Sequence, residues 1–240
     1  NIMAVRSGDK LTSEKTRGGS LPLYLQIGEL LSREISAGIW PDGSRLPTEA
    51  ELAGHLGVAI GTLRKALALL EKRGLLERIQ GSGTYVRRKA KTGSIYEFFH
   101  LELKKGVGLP TAKILSLDLC DRPDFLPSFG DGSSRKAWRI HRLRRLGGVP
   151  AAVEEIWFDA RHAPKLKAGD IPESLHFFYR QQLGFWIARV EDKVSVSPCP
   201  DFTPKDGPFT PGSPMGFVER ISWGNADTIE EYSRNWFDPE

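Results

Sequence analysis

The chain has 240 residues, 40% of them hydrophobic, with 34 Lys/Arg against 30 Asp/Glu and only two cysteines. That suits one large or two modest domains, each with its own core. No apolar run approaches the roughly 20 residues needed to cross a bilayer, and no signal peptide opens the chain. Cys120 and Cys199 lie far apart, with no CxxC or metal-ligand spacing, which argues against a disulfide framework and for free thiols in a reducing cytoplasm. The five histidines, His55, His100, His141, His162 and His176, show no HxxxH or HExxH pattern. Charge is uneven: residues 1–90 hold 14 Lys/Arg and 9 Asp/Glu, and residues 91–240 hold 20 and 21. The basic excess sits in the first part of the chain, as contact with a polyanion would require.

Asn1 and Ile2 precede Met3 and read as a cloning remnant. Residues 1–20 are polar and glycine-bearing and are expected to be a mobile tail. Leu23 to Ala37 is expected to be helical, because Leu23, Ile27, Leu30, Leu31 and Ile35 keep helical spacing and Gly38 follows. Thr48-Glu49-Ala50-Glu51 fits a capping box, in which Thr48 and Glu51 satisfy each other's backbone amides. The helix it opens should end near Leu56, where Gly57 supplies a positive φ. A further helix is expected from about Ile60 to Arg73. Leu63, Leu67 and Leu70 share its inner face, and Gly61, Arg64, Lys65, Ala68 and Lys72 lie roughly opposite. That outer face is slim and cationic, suited to a groove; an ordinary solvated helix face has the same composition.

The following stretch decides between them. Leu76 to Gln80 and Thr84 to Arg88 flank Gly81-Ser82-Gly83, the pattern of a tight hairpin. A GxG could mark a nucleotide loop, but no helix follows it. Helix, turn, helix and hairpin in this order suit duplex DNA. The segment from Tyr24 to Val86 resembles the winged-helix domain of the GntR family of bacterial transcription regulators. The resemblance rests on YLQIGELLSREISAGIWPDGSRLPTEAELA, GTLRKALALLEKRGLL and QGSGTYV. It implies operator binding as a dimer, with Arg45 at the backbone or groove ahead of the capping box, Thr62 and Arg64 on the recognition helix, and Gly81 at the wing tip. The expected DNA-facing set is Arg45, Thr48, Thr62, Arg64 and Lys65 with Gln80, Gly81, Ser82 and Gly83. Two departures matter. The family usually carries Arg where this chain has Ala50, and Ser-Arg where it has Ala59-Ile60. A bidentate Arg–guanine contact carries about 1–3 kcal/mol of discrimination, so either the operator differs or Arg64 and Lys65 carry more of the readout.

Arg87 to Gly93 is a basic linker, with 21–87 as the DNA-binding domain, 88–94 as the linker and 95–240 as a second domain. Composition then shifts toward aromatics. Strand alternation is visible in Ala112 to Leu119, in Ala137 to Leu146 and Val149 to Phe158 across Gly147-Gly148, and in Phe185 to Val196. Met215 to Trp223 and Thr228 to Phe237 form a last hairpin. Pro172 to Leu183 reads as a helix stopped by Gly184, and Pro198 to Pro214 as irregular. The fold class is α+β, a largely antiparallel sheet with helices against it. This part resembles the UTRA effector domain of HutC-type GntR regulators, which has a chorismate-lyase-like fold. It does so through AWRIHRLRRLGGVPAAVEEIWF, ESLHFFYRQQLG and GSPMGFVERISWGNADTIEEYSRNWF. The resemblance implies a small-molecule effector that changes operator affinity.

Arg142 and Arg144 are two apart on a strand and share a face with Trp138 and Ile140. Forked guanidiniums there suit a phosphate or carboxylate; a charged strand edge is the plainer alternative. Glu154 shares a face with Ile156 and Phe158; the resemblance implies that it accepts from effector hydroxyls or amines, and a salt bridge to a neighbouring Arg is the plainer role. Ser174 and His176 open the Pro172–Leu183 helix, where free amides favour an anion; a simple cap and a partly buried ring are the plainer roles. In the last strand Tyr232, Arg234 and Trp236 alternate with Glu231, Ser233, Asn235 and Phe237, and the resemblance implies that the set with Glu231 and Phe237 faces the ligand. The expected function is a DNA-binding transcription regulator, a repressor, whose operator affinity is set by a small anionic metabolite. The expected partners are double-stranded operator DNA, the effector and a second copy in a homodimer, with no membrane. No cofactor and no metal is expected. One alternative is a lyase-like enzyme, against which no nucleophile–base–orienter set is visible. The other is a DNA-binding protein whose second domain only dimerises.

Overall fold

Helical spacing and glycine stops shape the first part of the molecule. The computed structural model describes residues 21–87, 101–104, 108–205 and 207–239. The expected tail and linker therefore lie outside the described residues. α1 (Leu23–Ser36), α2 (Glu49–Leu56) and α3 (Ile60–Lys72) precede the hairpin of β1 (Leu76–Ile79) and β2 (Gly83–Val86). α2 opens on the expected capping box: the Glu51 amide donates to Thr48 Oγ1 at 3.3 Å and the Thr48 amide to Glu51 Oε2 at 2.9 Å. Gly57 closes it at φ 66°. The three helices and the hairpin share one core, built from Ile27, Leu31 and Ile35 of α1, Leu52 and Ala53 of α2, Leu63, Ala66, Leu67 and Leu70 of α3, and Leu76 and Val86 of the hairpin. Apolar residues three and four apart place all three helices on it.

A strip ahead of α2 extends the hairpin. The Gly43 amide donates to the Val86 carbonyl, the Val86 amide to the Ser44 carbonyl and the Leu46 amide to the Thr84 carbonyl, each at 2.9 Å. Arg45 is thereby held opposite Tyr85.

The second part is a six-stranded sheet. β3 (Pro110–Asp121), β4 (Lys136–Leu146), β5 (Val149–Asp159), β6 (Ile187–Pro198), β7 (Pro214–Gly224) and β8 (Ile229–Phe237) stand in the order β3-β4-β5-β8-β7-β6. The last strand thus inserts between β5 and β7, antiparallel to both, and β6 pairs antiparallel with β7 at the edge. Gly147 and Gly148 turn β4 into β5 at φ 53° and 81°, the two positive values a two-residue hairpin turn requires.

One face of this sheet packs a helical segment, and the other is covered by loops. Phe202 and Phe209, from the irregular stretch after β6, pack with Leu143, Val153, Met215 and Trp236. Phe129 and Leu126, between β3 and β4, pack with Trp157 and Tyr232. The helix expected over Pro172–Leu183 is shorter. Ser174 is its N-cap, α4 (Leu175–Phe178) follows, and Tyr179–Leu183 widens into a π-helical turn that ends at Gly184 with φ 79°. The Ser174 hydroxyl accepts from the Phe177 amide at 3.3 Å, so its own backbone stays extended and the helix starts after it. The strand expected from Phe185 begins at Ile187 and runs on to Pro198.

The chain divides into two compact units. One is Asn1–Leu109 with Leu146–Gly148, and the other is Pro110–Arg145 with Val149–Glu240.

Candidate functional site

Six of the nine residues expected to face DNA, Arg45, Thr48 and Gln80 to Gly83, come together around the hairpin, while Thr62, Arg64 and Lys65 stand on α3. A groove of about 390 Å³ is lined by Arg45, Thr48, Glu49, Arg78, Gln80, Gly81, Ser82 and Gly83, among others. The strip pairing that holds Arg45 also lays its guanidinium over the wing: a Cβ on Gly83 would come within 2.6 Å of Arg45 Nε. Glycine is required there twice, since Gly83 also has φ 139°. Ser82 Oγ lies 2.7 Å from the Tyr85 hydroxyl, which braces the tip.

On α3 the inner and outer faces separate as the spacing predicts. Leu63, Ala66, Leu67 and Leu70 are buried, Gly61, Arg64 and Lys65 are exposed and Thr62 is half-buried. Arg64 is not free, however. Its Nε donates to Glu49 Oε2 at 2.6 Å, and Arg78 Nη2 of β1 reaches Glu49 Oε1 at 3.1 Å. Sequence reasoning missed Glu49 and Arg78, because the contacts span 15 and 29 residues.

In the second unit the sheet brings most of the expected ligand residues onto one face. Arg142 and Arg144 of β4 are 3% and 4% exposed, and Glu154 of β5 is 4% exposed. Arg142 Nη2 lies 2.7 Å from Glu154 Oε2, and Arg144 Nη2 lies 3.2 Å from Glu154 Oε1. Both arginines also donate to the Glu173 carbonyl, at 3.3 and 3.5 Å. Burial pushes the Glu154 carboxyl up, but the two guanidiniums outweigh it and hold it below the usual carboxylate range. Arg142 Nε is buried without a hydrogen-bond partner among the described residues.

Glu231 of β8 stands on the same face. It is registered against Phe158 and Ser222 and accepts from the Tyr179 hydroxyl at 2.6 Å and from Ser222 Oγ at 3.2 Å. Burial, followed by the Glu231 charge, raises Tyr179 well above the usual phenol value. It is thus a committed donor. His176 lies one helical turn from Tyr179, with ring centroids 6.1 Å apart. Burial pushes its imidazole down, toward the neutral form. Ser174 caps α4, so its hydroxyl is engaged by the Phe177 amide. Phe237 shares the face of Glu231 by alternation but lies six residues along β8, with its ring over Gly216. Its register against Ala152 places it two residues along β5 from Glu154. Tyr179, Ser222 and the Glu173 carbonyl were not singled out from the sequence. The i, i+3 spacing of His176 and Tyr179 was the available signal.

The opposite face carries a second buried polar network. His141 Nε2 lies 3.0 Å from Glu155 Oε2 and its Nδ1 lies 3.1 Å from Ser116 Oγ. Glu155 also accepts from Trp157 Nε1 at 2.9 Å and from Arg234 Nε at 2.9 Å, and Ser116 Oγ donates to Asp118 at 3.1 Å. His141 is stacked on Phe202 with centroids 3.8 Å apart. Serine, histidine and carboxylate stand in line here, yet the acid is saturated by three donors and the ring is covered, so the arrangement ties β3, β4, β5 and β8 together. Among the described residues no group of three or more His, Cys, Asp or Glu has the placing to hold a metal ion, and Cys120 and Cys199 are free thiols.

A family model for bacterial regulatory proteins of the gntR family matches residues 23–86, and one for the UTRA domain matches residues 108–240. The HTH-type transcriptional regulator SmoD of Agrobacterium fabrum is 45% identical over 93% of this chain and 95% of its own. The chain belongs to the GntR family. Its membership of the HutC-type branch is supported by a histidine utilization repressor of Pseudomonas putida, 37% identical over 69% of this chain and 68% of its own. The mannosyl-D-glycerate transport/metabolism system repressor MngR of Escherichia coli is 28% identical over 92% of this chain and 94% of its own. This GntR protein is a transcription regulator with a helix-turn-helix for DNA and a UTRA domain for an effector, and its relatives are regulators rather than enzymes. Among the described residues no helix is long and apolar enough to cross a membrane.

Proposed function

We propose that this GntR regulator is a cytoplasmic, homodimeric repressor released from its operator by a small anionic metabolite. In this reading residues 21–87 hold the operator and residues 95–240 hold the effector. Arg45, Thr62, Arg64, Lys65 and the wing from Gln80 to Gly83 face the duplex, with Thr48 beside them. The observation that carries the effector class is the pair of buried guanidiniums around one carboxylate. Three charges held together out of water are costly unless well paired, and Arg142 Nε has no hydrogen-bond partner among the described residues. An incoming carboxylate or phosphate would accept from that edge, while Glu154, Glu231, Tyr179, His176 and Ser174 offer bonds to its polar remainder. The metabolites in two relatives' names, mannosyl-D-glycerate and histidine, both carry a carboxylate.

A second copy is supported by β6. This strand lies at the sheet edge, and its Val194 and Val196 are 71% and 73% exposed. A long exposed edge is a template for another strand, and a two-fold pairing of β6 with β6 closes the assembly.

The test is a thermal-shift screen of carboxylated and phosphorylated metabolites on the wild type and on Arg142→Ala. A ligand at about 100 times its dissociation constant adds roughly 2.7 kcal/mol to folding stability. The expected result is a hit that disappears in the variant and releases the duplex selected by the wild type. A ligand bound through Arg142 that leaves duplex affinity unchanged would defeat the regulatory reading.

A further inference from the structure

Glu49 places a negative charge on the surface that has to meet a polyanion. By electrostatics alone such a residue weakens binding to any duplex. Its surroundings give it a compensating task. The carboxylate engages two guanidiniums from different elements: Oε2 lies 2.6 Å from Arg64 Nε on α3, and Oε1 lies 3.1 Å from Arg78 Nη2 on β1. The Glu49 side chain is 27% exposed, whereas those of Arg64 and Arg78 are 63% and 47% exposed. The acid is thus less exposed than either cation, and it lines the groove together with Arg78, Arg45 and the wing. The bond to Arg64 uses Nε and leaves the terminal nitrogens for a base edge. Isolated surface ion pairs add little to stability, so this bridge is better explained by what it orients. The chain also needs such a device: with alanine at position 50 and Ala59-Ile60 opening α3, Arg64 is the one arginine on the outer face of the recognition helix.

We infer that Glu49 is a positioning residue for DNA discrimination, aligning Arg64 toward a base edge and Arg78 toward a phosphate, and that Arg78 thereby makes the wing strand part of the contact. This rests on the reading of the chain as a DNA-binding regulator. A lone exposed arginine samples many rotamers; one held by its Nε presents a single fork, and selectivity between base pairs depends on that geometry.

The experiment uses the full-length protein. A duplex enriched by the wild type from a random library, and a scrambled version of it, are titrated by fluorescence anisotropy over a range of salt concentrations. Wild type, Glu49→Gln and Arg78→Ala are compared. For Glu49→Gln the scrambled duplex is expected to bind at least as tightly as to wild type, since a repelling charge is gone. The ratio of enriched to scrambled affinity is expected to fall at least about fivefold, the lower end of what one arginine–base contact carries. Arg78→Ala is expected to weaken both duplexes alike and to lower the salt slope by about 0.9, one phosphate contact. An unchanged ratio in Glu49→Gln overturns the positioning role, and an unchanged salt slope in Arg78→Ala overturns the wing contact. Failure of the wild type to enrich any sequence would instead count against the DNA-binding reading itself.

Discussion

Glu154 bonds to two buried guanidiniums, and that makes it a point of failure in the sheet. Arg142 and Arg144 both end on its carboxylate, and the Glu173 carbonyl, which takes a bond from each, carries no charge. Glu154→Ala would leave like charges facing each other out of water. The expected loss is about 3–5 kcal/mol, read as a lower urea midpoint with an unchanged slope. On the opposite face Glu155 sets a pH dependence. Burial pushes its carboxyl up, but bonds from His141, Trp157 and Arg234 prevail and hold it down at about 2, against an ordinary value of 4.5. The unfolded chain therefore binds the proton more readily, and the stability Glu155 contributes is present above pH 4.5 and lost as pH falls toward 2. In denaturation series across that window, wild type should lose its advantage over Glu155→Gln as pH drops. A gap that stays constant with pH would mean that the depressed carboxyl is not linked to folding.

At the scale of elements, the wing and the strip before α2 act as one three-stranded unit, and Gly83 is where they meet. An alanine there would collide with Arg45 Nε, at 2.6 Å, and take a backbone φ of 139° that side chains rarely adopt. The hairpin contributes Leu76 and Val86 to the core, not its tip, so the domain should still fold. Gly83→Ala is expected to lower affinity for the enriched duplex about tenfold, by displacing one arginine, with far-ultraviolet circular dichroism unchanged. Because the effect runs through Arg45, the double variant with Arg45→Ala should bind about as weakly as Arg45→Ala alone. Additive losses would show that the wing tip acts independently of Arg45.

At the scale of the whole molecule, the outer edge of β6 is where a second copy is expected. Val194→Lys with Val196→Lys places two charges on that strand, a device that blocks edge pairing. Sedimentation should then show a monomer, with duplex binding weakened because two half-sites are no longer held by one particle; an unchanged dimer would move the interface elsewhere. The sequence by itself determined the elements whose causes are local. These include the capping box of Thr48 and Glu51, the stop at Gly57, the two faces of α3, the Gly81–Gly83 hairpin and the Gly147-Gly148 turn. Each depends on residues within one or two turns of chain, so spacing suffices to read it. Alternation also puts Arg142 and Arg144 on one face of β4 and Glu154 with Ile156 and Phe158 on one face of β5, but it leaves open which faces turn inward, and the choice of Glu231 rests on the family resemblance. The sequence by itself misjudged the start of α4, where the Ser174 cap keeps the preceding backbone extended. Only the tertiary structure decided which of these groups meet. β8 inserts between β5 and β7, bringing Glu231 to Tyr179 across 52 residues, and the fold brings Arg78 to Glu49 across 29. The physical reason is that alternation assigns a side chain to a face, whereas its partner across the sheet depends on strand order, which no local periodicity encodes.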